Sequence, residues 1–204
     1  TSVTLPENVT EIASGAFSGC SSLTSITLPE GVTTIGKSAF SNCSSLTSIT
    51  IPESVKTIGE GAFNGCSSLP SIDVALDNNS YTSIDGVLFS KDQTILIKYP
   101  EGKKDVTSYA IPEGVTKIGS YAFSVCSTLT SITSMNVKPP SIVGNYSFYG
   151  VKKSIPVYVP KRSVETYKSY IYWDDFTNIQ GIDDTPISDV VADSVSIRLI
   201  GNSL

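Results

Sequence analysis

Apolar positions in this chain recur on two scales. Within one stretch, Leu23, Ile26 and Leu28 share a side while Ser25 and Thr27 take the other, as in an extended strand with one buried face. Between stretches the pattern returns every 23 residues: Phe17, Phe40 and Phe63; Ile12, Ile35 and Ile58; Leu23, Leu46 and Leu69; Pro6, Pro29 and Pro52; Cys20, Cys43 and Cys66. After an irregular interval the unit reappears at 109–132, with Phe123 and Cys126 in phase. A fixed period of this length marks stacked repeats.

In the unit 23–45 the first strand ends at Pro29, which has no N–H for a ladder. Val32 and Ile35 then point inward from a second extended piece, and Ala39, Phe40 and Cys43 close the core from a turn. About seven inward side chains give roughly 2 kcal/mol each on burial. Ordering the residues costs on the order of 1–2 kcal/mol apiece. A lone unit is therefore unstable, and stacking supplies the missing burial. The predicted structural core includes Phe17, Phe40, Phe63 and Phe123, together with Cys20, Cys43, Cys66 and Cys126. The cysteines are expected as four buried thiols, because side chains related by translation point the same way rather than at each other.

The spacing Leu23, Ile26, Leu28 and then Leu46, Ile49, Ile51, within the form IPxxVTxIGxxAFxxCxxL, resembles the BspA-like class of leucine-rich-repeat proteins. The match runs from Thr1 to about residue 179. The resemblance implies a bacterial cell-surface, non-enzymatic protein, and some members of that class are adhesins for host matrix proteins such as fibronectin. The expected fold is a mainly β repeat solenoid, a right-handed leucine-rich-repeat coil with an inserted antiparallel β-meander and a small C-terminal α/β cap. The expected divisions are a solenoid over 1–134, with an irregular insert at about 75–105; a capping segment over 135–179; and, over 180–204, a linker and the first strand of a further domain.

The insert holds GVLF and ILIKYP, separated by SKDQT, and then VTSYAIP after EGKKD. These connections are too short for parallel crossovers, so three antiparallel strands are expected. Alternation places Ile95, Ile97 and Tyr99 inward and leaves Leu96 and Lys98 exposed. Beyond Met135 the period fails. Ser163 is expected to N-cap a helix of about ten residues bearing Val164, Tyr167 and Ile171 on one face. Nine of the 18 aromatics lie between Tyr146 and Phe176, which reads either as a sugar-stacking platform or as a cap over the last repeat. The final SVSIRLIGNSL alternates like a strand.

Composition narrows the chemistry. The chain has no histidine, which removes Ser-His-Asp and Cys-His nucleophiles and His-containing metal sites. A net charge of −5 argues against nucleic acid, although the sign alternates: −6 over 1–90, +6 over 91–173 and −5 over 174–204. No apolar run approaches a membrane span. The chain starts inside a patterned segment, without Met or a leader, and reads as a trimmed piece of a longer protein. The stretch GVTTIGKS, 31–38, fits a phosphate-loop pattern, but its column reads SVKTIGEG and GVTKIGSY in other units, so the lysine is a repeat variation rather than a nucleotide ligand. The acid pairs Asp174/Asp175 and Asp183/Asp184 are adjacent in sequence, not opposed across a cleft as a glycosidase requires. No catalytic, metal or cofactor residue is assigned.

What remains is surface. Ser2, Ser25, Ser48, Ser71, Ser108 and Ser131 share one column, and Thr4, Thr27, Thr50, Asp73, Ala110 and Thr133 another two residues on. Stacked in register they form a hydroxyl ladder on the concave sheet. The candidate partner-binding residues are Ser25, Thr27, Ser48, Thr50, Ser71, Asp73 and Ser108 on that ladder, with Leu96 and Lys98 where the insert interrupts it. The expected role is that of a monomeric surface module binding an extracellular protein or a glycan, with a spacer that presents other domains as the alternative.

Overall fold

The computed structural model of the protein describes residues 1–183 apart from Asn145. The expected strand at the C-terminal end lies outside the described residues. The chain winds as a β-solenoid of about eight turns. Each regular coil contributes one strand to each of two ladders. The first strands are β1 (Ser2–Thr4), β3 (Ser25–Thr27), β5 (Thr50–Ile51) and β7 (Asp73–Val74); the second are β2 (Glu11–Ile12), β4 (Thr34–Ile35) and β6 (Thr57–Ile58). Pairing is parallel and in register by one unit: Ser2 with Ser25, Ile12 with Ile35, Ile35 with Ile58, Thr50 with Asp73.

The 23-residue columns become physical stacks. Rings of Phe17 and Phe40 lie 5.4 Å apart and those of Phe40 and Phe63 5.7 Å apart, nearly parallel in both cases. Thr33, Thr47 and Thr130 each donate a hydroxyl hydrogen bond to the backbone carbonyl 23 residues earlier, stitching coil to coil. The glycine of the IG pair is required by close approach: a Cβ on Gly36 would come within 2.5 Å of the Ser14 nitrogen, and one on Gly59 within 2.3 Å of the Lys37 nitrogen. Cys43 and Cys66 aim their thiols at the carbonyls of Phe17 and Phe40, at 3.1 and 3.2 Å. Cys43, Cys66 and Cys126 are buried, but Cys20 is exposed and Phe17 only half-buried, which corrects the expectation of four buried thiols. They belong to the first of the described coils, and each lies on the side of the stack away from Phe40 and Cys43.

The insert forms an antiparallel meander of β8 (Tyr81–Ile84), β9 (Val87–Ser90) and β10 (Ile95–Lys98). It sits one strand earlier than expected. The next strand, β11 (Ser108–Ile111), does not pair with β10; it opens the resumed first-strand ladder with β13 (Ser131–Ser134). β10 instead joins the second ladder, in parallel with β12 (Lys117–Ile118). β9 divides the interior: Leu88 packs with the N-terminal core, while Val87 and Phe89 pack with the C-terminal one.

The ladders run on past residue 134. β14 (Ser141–Ile142) continues from β12, β15 (Val157–Pro160) from β13, and β16 (Ile179–Ile182) from β15. Phe148 stacks on Phe123 at 5.2 Å although 25 residues separate them, so a longer unit hides the same column. The division read from the sequence at residue 180 falls inside β16. The expected ten-residue helix is shorter: α1 spans Val164–Lys168, Ser163 makes no side-chain cap, and Ile171 is exposed. Tyr167 and Trp173 are fully buried, with Phe148 and Phe176 packed edge-on to Trp173 or to each other. The Trp173 indole donates to the Pro140 carbonyl and the Tyr167 hydroxyl to that of Asn136. These four rings are core rather than a sugar platform.

Candidate functional site

The hydroxyl ladder exists in two runs. Thr27, Ser48, Thr50, Asp73 and Ser108 are exposed, while Ser25 and Ser71 are half-buried. Ser25 faces Ser48, Thr50 faces Asp73, and Ser108 faces Ser131. A shallow depression of about 250 Å³ lies along Ser25, Thr27, Ser48 and Thr50, edged by Glu30 and Ala75. Asp73 and Ser108 are not neighbours, however. The turn at Asp85–Gly86 occupies the next rung: the Ile72 N–H donates to the Gly86 carbonyl, and a Cβ on Gly86 would come within 2.7 Å of Ser71 Cβ.

Leu96 and Lys98 are not on this face, and neither is exposed. Leu96 is fully buried and Lys98 nearly so. The reason is the column that β10 occupies. Leu96 aligns with Ile118, in the second-strand column of Ile12, Ile35 and Ile58. The Tyr99 N–H donates to Ala122 as that of Phe40 does to Ala62, so Tyr99 holds the phenylalanine position and Lys98 the alanine position. Tyr99 is inward as expected; Ile95 and Ile97 are half-buried.

This alignment exposes a deletion. From Ile12 to Phe17, Ile35 to Phe40, Ile58 to Phe63 and Ile118 to Phe123 there are five steps, but from Leu96 to Tyr99 only three. Two turn residues are missing between the turns at 59–61 and 119–121. Their absence leaves a cleft of about 410 Å³, floored by Ile97, Lys98 and Phe63 and walled by Glu60, Gly61, Ser120, Tyr121 and Val143. That volume is within the range of ligand pockets. Sequence reasoning missed it, though the shortened spacing before Lys98–Tyr99 was a visible signal.

Side chains replace part of the lost backbone. The Lys98 ammonium lies 2.8 Å from the Glu101 carboxylate and donates to the Tyr121 carbonyl at 3.2 Å. The Glu101 carboxylate also accepts the Gly65 N–H, which in the preceding coils goes to a backbone carbonyl. At the cleft mouth the Ser120 hydroxyl and then the Lys37 ammonium, 2.9 Å away, hold the exposed Glu60 carboxyl below the usual range. Lys37, the lysine of the phosphate-loop pattern, is thus a surface ion-pair partner, and turns rather than a helix follow it. Burial pushes the thiol of Cys43 up to about 11 and those of Cys66 and Cys126 to about 12, so none is a nucleophile at neutral pH. Among the described residues no cluster of three or more acidic, Cys or His side chains is arranged to hold a metal, and no helix is long and apolar enough to cross a membrane.

Beside the cleft is an apolar shelf. Tyr121 stacks on Tyr146 at 5.2 Å, Tyr149 meets Tyr146 edge-on, and Tyr146, Tyr149, Val125 and Val143 are exposed. Tyr121 and Val125 have φ of 64° and 61°, where equivalent positions in other coils carry Gly15, Ser38 and Gly61, or Gly19, Asn42 and Gly65. A left-handed conformation at a bulky or β-branched residue costs on the order of 1–3 kcal/mol.

The model of the BspA type leucine-rich repeat region matches residues 1–110 and 93–184, with six copies, and the chain belongs to that family. Its fold is similar to a leucine-rich cell-surface protein from Faecalibacterium prausnitzii, at 27% identity and a TM-score of 0.59, covering 94% of this chain and 62% of that one. It is also similar to the pneumococcal vaccine antigen PcpA, at 24% identity and a TM-score of 0.63, covering 80% and 51%. A leucine-rich repeat protein from Eubacterium ventriosum matches at 25% identity and a TM-score of 0.55, covering 79% and 54%. The chain therefore spans about half to three-fifths of the length of these structures. No curated protein matches it.

Proposed function

We propose that the chain is a non-enzymatic binding module of a bacterial cell surface, a monomer that docks an extracellular protein or a glycan on its repeat surface. The observation that carries this reading is the in-register polar face: serine and threonine columns point outward over successive coils while the alternating apolar columns pack into or against the core. A rigid, water-compatible face of this kind presents shape over several coils without an ordering cost on binding. The cell-surface protein among its structural relatives supports the location.

The ladder's uniformity favours a second reading. Interfaces concentrate energy in a few aromatic, apolar or charged anchors, and Thr27, Thr50 and Ser48 offer none, as a spacer presenting other domains would. The discriminating experiment is an array of extracellular matrix proteins and glycans probed with the chain and with a Thr27→Arg/Thr50→Arg variant. Saturable binding weakened in the variant supports docking on the ladder. No binding by a folded chain favours the spacer.

A further inference from the structure

The two-residue deletion in the coil of β10 leaves more than empty volume. In the regular coils the turn is tied to its successor by backbone bonds: Gly15 N–H to the Lys37 carbonyl, Ser38 N–H to that of Glu60, Phe17 N–H to Ala39, and Phe40 N–H to Ala62. In the third coil the matching donors are Gly61 and Phe63. Among the described residues neither N–H has an acceptor, and the Ser120 carbonyl, which matches Lys37 and Glu60, has no donor. All three residues line the cleft. Two N–H groups at i and i+2 on one wall and a carbonyl on the other are the groups an added extended segment would pair with.

We propose that this cleft is a docking site for a short extended peptide segment of a partner protein, which completes the missing turn. The partner backbone accepts from the Gly61 and Phe63 N–H groups and donates to the Ser120 carbonyl. One small apolar side chain sits on Phe63 and Ile97 against Val143, and the flanking residues rest on the Tyr121–Tyr146–Tyr149 shelf. The peptide is favoured over a sugar because the open groups are a backbone ladder interrupted at one rung, over a mostly apolar floor. The Lys98–Glu101 pair leaves no isolated charge for an ionic ligand at the floor. Val125 fits this role, since it puts apolar surface outward from a left-handed position where Gly or Asn serves the fold in other coils, and the half-buried Tyr121 ring, also on a left-handed backbone, leans beside Gly61 and stacks on Tyr146 to form the inner edge of the shelf. Tyr and other large side chains at such a rim supply the anchoring contacts of an interface. The site rests on the reading of the chain as a binding module but not on the hydroxyl ladder.

The test pans a phage-displayed library of random linear peptides against the full chain and measures the affinity of the enriched peptides by calorimetry, with a glycan array in parallel. One variant inserts Gly-Glu between Ile97 and Lys98, restoring the five-step spacing and filling the cleft. A second, Val143→Arg, alters an exposed wall residue and keeps the test valid if the insertion does not fold. Glu7→Gln, exposed in the first of the coils and outside both the cleft and the ladder, is the control. We expect enriched peptides that lose at least about tenfold in affinity, equivalent to about 1.4 kcal/mol, in both variants and are unaffected by the control. No enrichment, or peptide binding indifferent to both variants, would overturn the proposal, as would a glycan whose binding is lost in both. A protein from the extracellular array that binds the parent and both cleft variants equally would also sink this site while leaving the binding-module reading intact.

Discussion

The Lys98 ammonium lies 2.8 Å from the Glu101 carboxylate, with both side chains almost wholly sealed inside the solenoid. Lysine here stands in the column of Ala62 and Ala122. The deletion explains how it fits: with two turn residues gone, its stem enters the vacated space and its ammonium takes up contacts a regular turn would make through backbone.

A buried pair of this kind is costly to break from one side, because the remaining charge has no partner. We expect Lys98→Ala to lose about 3–5 kcal/mol in urea unfolding. Adding Glu101→Gln should restore much of that loss, since glutamine still accepts the Gly65 N–H but carries no charge. Equal stability of the single and double variants would contradict the arrangement.

The phenylalanine stack gives a graded expectation. Phe40 is fully buried between two parallel rings, and Phe40→Ala should cost about 3–5 kcal/mol. Phe17 stacks on one side only and is half-buried, so Phe17→Ala should cost clearly less. Because each coil contacts mainly its neighbours, the Phe40 loss should spread to coils on both sides. Similar losses at the two positions, read by chemical denaturation, would show that the stack does not end as described.

Most of the repeat was legible because one rule, a 23-residue translation, fixes every column at once. Val32, Ile35 and Phe40 are buried where the columns put them. β10 was not legible from alternation, because Ile95, Leu96 and Ile97 are apolar on both faces and either register buries leucine or isoleucine. The deciding contacts are non-local: Leu96 against Ile118, and Tyr99 against Phe123. The continuation past residue 134 was hidden for a similar reason, since Phe148 keeps the column while the spacing grows. The left-handed backbone at Tyr121 and Val125 has no signature in their residue types, which differ from the Gly, Ser and Asn that stand in the same columns elsewhere. Ser25 pairs with Ser48, Thr50 with Asp73 and Ser108 with Ser131, as the 23-residue column rule implies, but the turn at Gly86 that splits the two runs comes from tertiary packing.

The thiols separate by coil. In the native chain we expect rapid alkylation of Cys20 alone, with Cys43, Cys66 and Cys126 protected by burial and by thiol pKa values of about 11 to 12. Under denaturing, non-reducing conditions mass spectrometry should count four labels. Labelling of Cys43 as fast as Cys20, or a count of two, would contradict the free, stacked thiols.

Glu60 supplies a pH signature. Its folded pKa is lowered, first by Ser120 and then by Lys37, so its contribution to stability is present above the ordinary glutamate value of about 4.3 and is lost as pH falls through the folded value. The group is exposed, so the effect on melting temperature should be small. The sharper readout is the carboxyl titration by NMR. Ser120→Ala and Lys37→Ala should each move the midpoint upward towards the ordinary value, and an unchanged midpoint in both would remove the contacts assigned across the cleft mouth.

The missing turn itself is tested most directly by native-state amide hydrogen exchange. Ser38 and Phe40 donate to the next coil, and Gly65 donates to Glu101, whereas the equivalent N–H groups of Gly61 and Phe63, two residues that line the cleft, have no acceptor among the described residues. Exchange protection follows hydrogen bonding and local opening. We expect Ser38, Phe40 and Gly65 to be protected, and Gly61 and Phe63 to exchange at least about tenfold faster than their counterparts in the preceding coil. Equal protection of Gly61 and Ser38, and of Phe63 and Phe40, would mean that the turn's partners are present and that no rung is open.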